Sequence, residues 1–221
     1  MRPARPLGVL AKAALAAGVV AACHDNVGVS ACFEDGLPYS YVLNGDTTLV
    51  FRWPASHQPV RVYAEPVGDV QANVATAAAR WLSALRCGEL SITLVTDSTT
   101  ADVIVRNPPS APPAPPAAIA LAADSVGACG GQTRADFDST NTLLGPVRAY
   151  VYPIATDPVA LAGCYRMVTT HELGHALGIL NHSPDTSDIM YSPPRRGTLS
   201  PTDRVTFQYL HHTTPTIRPQ P

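Results

Sequence analysis

His171, Glu172 and His175, in the order His-Glu-Leu-Gly-His, are the residues of this chain whose types and spacing could do chemistry at a metal. In an α-helix, residues four apart differ by about 40° around the axis, so both imidazoles lie on one face, on adjacent turns. Zinc accepts histidine nitrogen at about 2.0–2.1 Å, and a catalytic zinc keeps three protein ligands and an open position. Glu172 directly follows the first histidine and so projects beside such a metal. A base standing there can take a proton from a water whose pKa zinc lowers from about 15.7 to about 7. The bland reading is a helix with surface histidines and an ordinary glutamate.

The third ligand decides between site types. One type takes it from a glutamate well downstream, but the four glutamates are Glu34, Glu65, Glu89 and Glu172, and none follows. The other route is a sharp turn after the helix, and Gly178 is placed to make it, since glycine adopts positive φ readily. The run HELGHALGILNHSP at 171–184 resembles the metzincin pattern HExxHxxGxxH, and its matrixin branch most closely. Where that pattern has its third histidine, this chain has Asn181, with His182 next. Three readings follow: a turn longer by one residue lets His182 bind, Asn181 coordinates through its side-chain carbonyl, or the site has two histidines only. An amide is the poorer zinc ligand, so His182 is the expected third ligand and Asn181 the lesser candidate.

The resemblance extends beyond the helix. SPDTSDIM at 183–190 followed by Tyr191 resembles the approach to the metzincin Met-turn, which implies Met190 beneath the ligands and Tyr191 in the substrate pocket. LSPTDRVTFQYL at 199–210 resembles the closing helix of matrixin domains, and FRWP at 51–54 followed by PVRVYAE resembles their start. Such a domain is α+β and zincin-like. It has a twisted, mostly parallel sheet of four or five strands with an antiparallel edge strand, a long backing helix, an active-site helix and a C-terminal helix. The implied activity is a zinc endopeptidase with one catalytic Zn2+ and Glu172 as base, acting on peptide or protein substrates laid along an edge strand, here read as residues 147–152. The alternative is a lipid-anchored binding module with a structural or degenerate zinc site, for which Asp185 or Asp188 could supply a fourth ligand. Asp124, Asp136 and Asp138 offer oxygens of the kind Ca2+ takes, or simply form a solvated loop.

The elements that must hold these residues are partly legible. Residues 59–65 alternate Val60, Val62 and Ala64 against Arg61 and Tyr63, a strand pattern. Val70, Val74, Ala77, Ala78, Trp81, Leu82 and Leu85 make one apolar helix face, with Asp69 as N-cap and Gly88 as stop. Residues 91–96 and 102–106 read as strands. Residues 147–152 read as a fourth strand, at a sheet edge because Pro153 follows. Asp157-Pro158 opens the helix that carries the histidines, running to about Leu177. Ser200, with Asp203 three residues on, opens the last helix, whose apolar face is Val205, Phe207, Tyr209 and Leu210.

Composition narrows the remainder. The chain has 221 residues, 46% hydrophobic and 14% charged, with a formal net charge of −2. That fits one domain with extra segments and lacks a basic footprint for nucleic acid. Lys12 is the only lysine, and neither GxxxxGK[ST] nor GxSxG occurs, so nucleotide and serine-hydrolase readings have little support. Arg2, Arg5 and Lys12 precede AALAAGVVAA at 13–22, too short for a span of about 20 apolar residues and shaped like a secretory signal peptide. With Cys23 next, it resembles a bacterial lipoprotein signal. That implies acylation of Cys23 and an exported protein lipid-anchored in the cell envelope, on the outer membrane or cell surface rather than the inner membrane. Ordinary cleavage is the alternative. Beyond residue 22, twelve arginines against seventeen acids leave −5. Cys32, Cys87, Cys129 and Cys164 remain, and in an oxidising compartment could pair in three ways. Cys32–Cys87 with Cys129–Cys164 is the favoured arrangement, and buried thiols are the alternative. Residues 1–22 therefore read as a lipoprotein signal peptide, 23–49 as a lipidated tether and lead-in, and 50–212 as the catalytic domain with a Pro-rich loop insertion at 107–146. Residues 213–221 read as a disordered tail. A monomer is expected.

Overall fold

A computed structural model of the chain describes residues 29–42, 49–113 and 119–220. The signal segment and Cys23 lie outside the described residues. In chain order come strand β1 (Val60–Ala64), helix α1 (Val70–Ala84), strands β2 (Ile92–Val95), β3 (Val103–Arg106), β4 (Ile119–Val126), β5 (Cys129–Ala135), β6 (Thr142–Leu143) and β7 (Val147–Pro153), helices α2 (Pro158–Ala176) and α3 (Pro201–His212), and strand β8 (Arg218–Pro219). The main sheet has the order β2-β1-β3-β7-β5-β4. Its first four strands are parallel, and β5 runs antiparallel to both of its neighbours.

One face of the sheet is apolar because the strands alternate. Val60, Val62, Val103, Val147 and Ala149 are buried under α1 and α2, while Arg61, Arg106, Arg148 and Tyr150 lie on the other face. Each such valine, fully buried, contributes about 1.5–3 kcal/mol relative to exposure. Trp81 of α1 packs on Phe207 of α3 with ring centroids 4.8 Å apart, joining the two helices. Among the described residues, no helix is long and apolar enough to cross a membrane.

Several expectations are corrected here. The sheet has six strands, not four or five. Residues 147–152 are not its edge: β7 lies between β3 and β5, and the two edges are β2 and β4. Pro153 misled because it is the last residue of β7, where a missing N–H costs little. Residues 107–146 are not simply a loop, since β4 and β5 form a hairpin within them. The tail does not read as disordered over its described part. Ile217 is buried, Thr216 and Ile217 both donate backbone N–H to Val50 O, and β8 pairs with β6. The lead-in is more than a tether. Cys32 is bonded to Cys87, Tyr39 donates to Asp203 Oδ1 at 2.9 Å, and Glu34 pairs with Arg204 at 3.3 Å, so this segment lies against α3. At the helix ends, Asp69 makes no side-chain cap and α1 stops at Ala84, before Gly88. Tyr209 is partly exposed and packs at a tilt against Phe33 instead of joining the core.

His211, near the end of α3, is 4% exposed, with its ring edge-on to Phe207 at 4.6 Å. Neither ring nitrogen has a hydrogen-bond partner among the described residues. Burial above all pushes its pKa down to about 4; Arg52 adds to the fall, Glu89 opposes it and His212 adds to it. An unfolded histidine titrates near 6.5, so the unfolded chain takes up the proton first. The stability that the neutral His211 contributes is therefore complete above about pH 6.5 and is lost as pH falls towards about 4, by about 3 kcal/mol in all. Urea midpoints measured across this window should fall with pH, and His211→Phe should flatten that slope. An unchanged slope would mean another group controls acid unfolding.

Candidate metal centre

The histidine-bearing helix is α2. Asp157 caps it, its carboxylate accepting the N–H groups of Val159 at 3.2 Å and Ala160 at 3.3 Å, and Pro158 sits at the first helical position. From Val168 to Ala176 every residue is buried. A helix end buried all round needs partners on every side, and two indoles hold it there. Trp81 Nε1 donates to Thr170 O at 2.9 Å and Trp53 Nε1 to Ala176 O at 3.0 Å. Gly174 leaves room beneath the helix: a Cβ there would meet Met190 Sδ and Trp81 Cζ2, each at 2.6 Å.

The chain leaves α2 through Gly178. Its φ is +123°, and a Cβ on it would lie 2.2 Å from the Phe51 carbonyl oxygen. Both conditions require glycine. Gly178→Ala should lower stability by about 3 kcal/mol, combining backbone strain with overpacking. That corresponds to a fall in Tm of roughly 6–12 °C in a thermal melt. A melt unchanged by the substitution would refute this account of the turn.

Past the turn, His182 comes back to the helix. The rings of His171, His175 and His182 have centroids 4.7, 5.3 and 5.0 Å apart, and one ligand atom from each lies within 4.8 Å of the others. His171 Nδ1 donates to Ile189 O at 2.7 Å and His175 Nδ1 donates to Ile179 O at 2.6 Å. A carbonyl only accepts, so Nδ1 carries the proton and Nε2 carries the lone pair in each neutral ring. The two Nε2 atoms stand 3.1 Å apart. Two lone pairs converging at that distance repel unless a cation lies between them. Tetrahedral zinc with ligands at about 2.0–2.1 Å spaces its nitrogens by about 3.3–3.4 Å, so the donor set fits zinc.

Asn181 is engaged elsewhere: its Oδ1 accepts the backbone N–H of His182 at 2.9 Å, bracing the turn. The carboxylates that could add a fourth ligand also point away. Asp188 accepts the hydroxyls of Ser183 and Ser200, and Asp185 accepts Ser187 N at 2.8 Å. Met190 is wholly buried under Gly174. Tyr191 is half-buried, with the Arg195 guanidinium 5.4 Å from its ring centroid. Calcium gains no site among the described side chains. Asp138 is occupied by Thr140 and Thr142, Asp136 faces Arg148 at 3.9 Å, and the Asp124 side chain lies outside the described residues.

Three supporting residues were not singled out for the site by sequence. Asp203 caps α3, as its spacing predicted, but also accepts Ile189 N at 2.8 Å and Met190 N at 3.4 Å. The same Ile189 offers its carbonyl to His171, so α3 orients a candidate ligand through one residue. Burial raises the Asp203 pKa above the usual carboxylate value, against the pull of the amides it accepts. Thr133 and Gly131 of β5 lie against Glu172. The signal available for them was a Gly-Gly pair in a segment now seen to be a strand, which marks close approach of another group.

Two disulfides are present, Cys32–Cys87 and Cys129–Cys164. The matrixin peptidase family model matches residues 120–212, from within β4 to the end of α3. No curated protein matches the chain.

Proposed function

With residues 120–212 assigned to a matrixin-like, metzincin-type family of zinc metallopeptidases, we propose that the chain is a zinc-dependent endopeptidase. In this reading His171, His175 and His182 hold the metal and Glu172 is the base. The observation that carries it is the convergence of the three imidazoles, two of them with Nδ1 tied to carbonyls and Nε2 turned inward, beside a glutamate of the same helix. Such bracing by carbonyls is what metal-bound histidines ordinarily have.

Zinc held by His171, His175 and His182 would supply a Lewis acid and acidify a water. Glu172 takes the proton from the attacking water and returns it to the amide nitrogen as the C–N bond breaks, giving a carboxylic acid and an amine that then ionise in solution. Met190 forms the floor beneath the ligands. Tyr191 and residues 192–197 border the pocket beyond the scissile bond. An extended substrate that adds a strand to the sheet would pair with β4, the edge strand on the side of α2, and not with residues 147–152. Two disulfides support an extracytoplasmic location, and acylation of Cys23 would place the domain on an envelope membrane.

The test is metal removal. Treatment with a zinc chelator should abolish peptide cleavage, followed by mass spectrometry of the fragments, and added Zn2+ should restore it. Cleavage that survives in demonstrably metal-free protein would overturn the reading. One bound zinc with no cleavage of any peptide in a diverse library would favour the binding module instead.

A further inference from the structure

Strand β5 runs along α2 in a matched register. Alternate residues of a strand repeat on one face about every 6.7 Å, and residues four apart on a helix repeat about every 6.0 Å. Cys129, Gly131 and Thr133 lie on one face of β5, while Cys164, Val168 and Glu172 form a line on α2. Cys129 is bonded to Cys164. A Cβ on Gly131 would meet Val168 Cγ1 at 2.5 Å and Glu172 Oε1 at 2.2 Å. Thr133 Oγ1 lies 2.7 Å from Glu172 Oε2 and 3.0 Å from the Glu172 carbonyl oxygen. Thr133 and Glu172 are both 0% exposed.

We propose that Thr133 is a positioning residue: its hydroxyl fixes the direction in which the Glu172 carboxylate faces, and Gly131 leaves the room that this orientation needs. The proposal rests on the reading of Glu172 as the base. A valine would fill the same volume but has no proton to donate, so shape alone does not require threonine. The carboxylate is a stronger acceptor than the amide carbonyl beside it, so the single hydroxyl proton is drawn to Oε2. Glutamate carries several rotatable bonds, and a base works only within hydrogen-bond reach of the proton it takes. The Cys129–Cys164 bridge sets the register two strand residues before Gly131, so the disulfide, the gap and the donor act along one line.

The test compares Thr133→Val, Thr133→Ser and Gly131→Ala in the zinc-loaded protein, with kcat, KM and bound zinc measured for each. Thr133→Val should lower kcat by on the order of 10- to 100-fold, the scale of a misplaced catalytic group, with KM and zinc content unchanged. Thr133→Ser, which keeps the hydroxyl, should retain most of the rate, and Gly131→Ala should lose kcat as Thr133→Val does. An unchanged kcat in Thr133→Val, or equal losses in the serine and valine variants, would overturn the proposal. A second measurement needs no activity. In the metal-free protein, Thr133→Val should reduce the folded-to-unfolded ratio in urea on the order of tenfold, and should cost clearly less in a Glu172→Leu background, where only the backbone carbonyl of residue 172 is left to accept the hydroxyl. Additive effects there would overturn the proposal. A wild-type protein that cleaves nothing would defeat the base assignment instead, leaving the urea cycle to decide whether Thr133 and Glu172 are coupled.

Discussion

Glu172→Gln should keep the zinc, the fold and KM, and lose kcat by on the order of 10³-fold, within the range of about 10² to 10⁴ for losing a general acid–base group. The amide has nearly the shape of the carboxylate and retains an oxygen that can accept the Thr133 hydroxyl, so the buried site stays filled and hydrogen-bonded. The amide cannot take a proton from water near neutral pH. It is also no metal ligand in this arrangement, so the three histidines remain as they are. The measurement is kcat and KM on one cleaved peptide, with bound zinc determined on the same preparation. Loss of zinc together with activity would mean that Glu172 supports the ligands rather than the proton transfer. Full activity would remove it from the chemistry and point to another base.

The parts of this molecule that announced themselves are those whose pattern is local. His171, Glu172 and His175 fall within five residues of one helix, and Asp157-Pro158 marks where that helix begins. The alternation of Val60, Val62 and Ala64 and the apolar face of α1 are likewise written in runs of a few residues. What stayed hidden depends on neighbours distant in sequence. β5 contains Gly130 and Gly131, poor strand formers alone, yet it is a strand because it is paired on both sides, by β7 and β4. Both glycines answer to groups from elsewhere: a Cβ at Gly130 would meet the Tyr152 ring at 2.6 Å, and one at Gly131 would meet Glu172. Thr133 stands 39 positions before the glutamate it contacts, and no motif links them. The tail was misread for a similar reason, since Ile217 is one apolar residue among prolines and threonines, and only its seat beside Val50 and Phe51 makes it ordered.

The second large effect concerns the one position where the chain departs from the pattern it resembles. His182→Ala should weaken zinc binding by on the order of 100-fold or more, since changes to mere supporting groups of such sites already cost about 10- to 100-fold. Activity should vanish at any zinc concentration that leaves the site empty. Asn181→Ala should do far less. Its side chain accepts the His182 amide at 2.9 Å, so its loss should cost about 1 kcal/mol of stability and loosen the turn, while the three imidazoles still converge. The contrast follows from how the chain is routed. Gly178 bends it away from α2 against Phe51, and Leu180 N is held by Tyr41 O at 2.8 Å. Past Asn181, the His182 ring comes to lie 5.3 Å from that of His171, at an interplanar angle of 21°. Competition titration with a chromophoric zinc chelator on both variants measures the two affinities directly. A reversed result, with Asn181→Ala losing the metal and His182→Ala keeping it, would make the asparagine the third ligand and turn the His182 ring into a bystander. Equal retention by both would leave a two-histidine site, and the hydrolytic reading would then lack the grip on zinc that it requires.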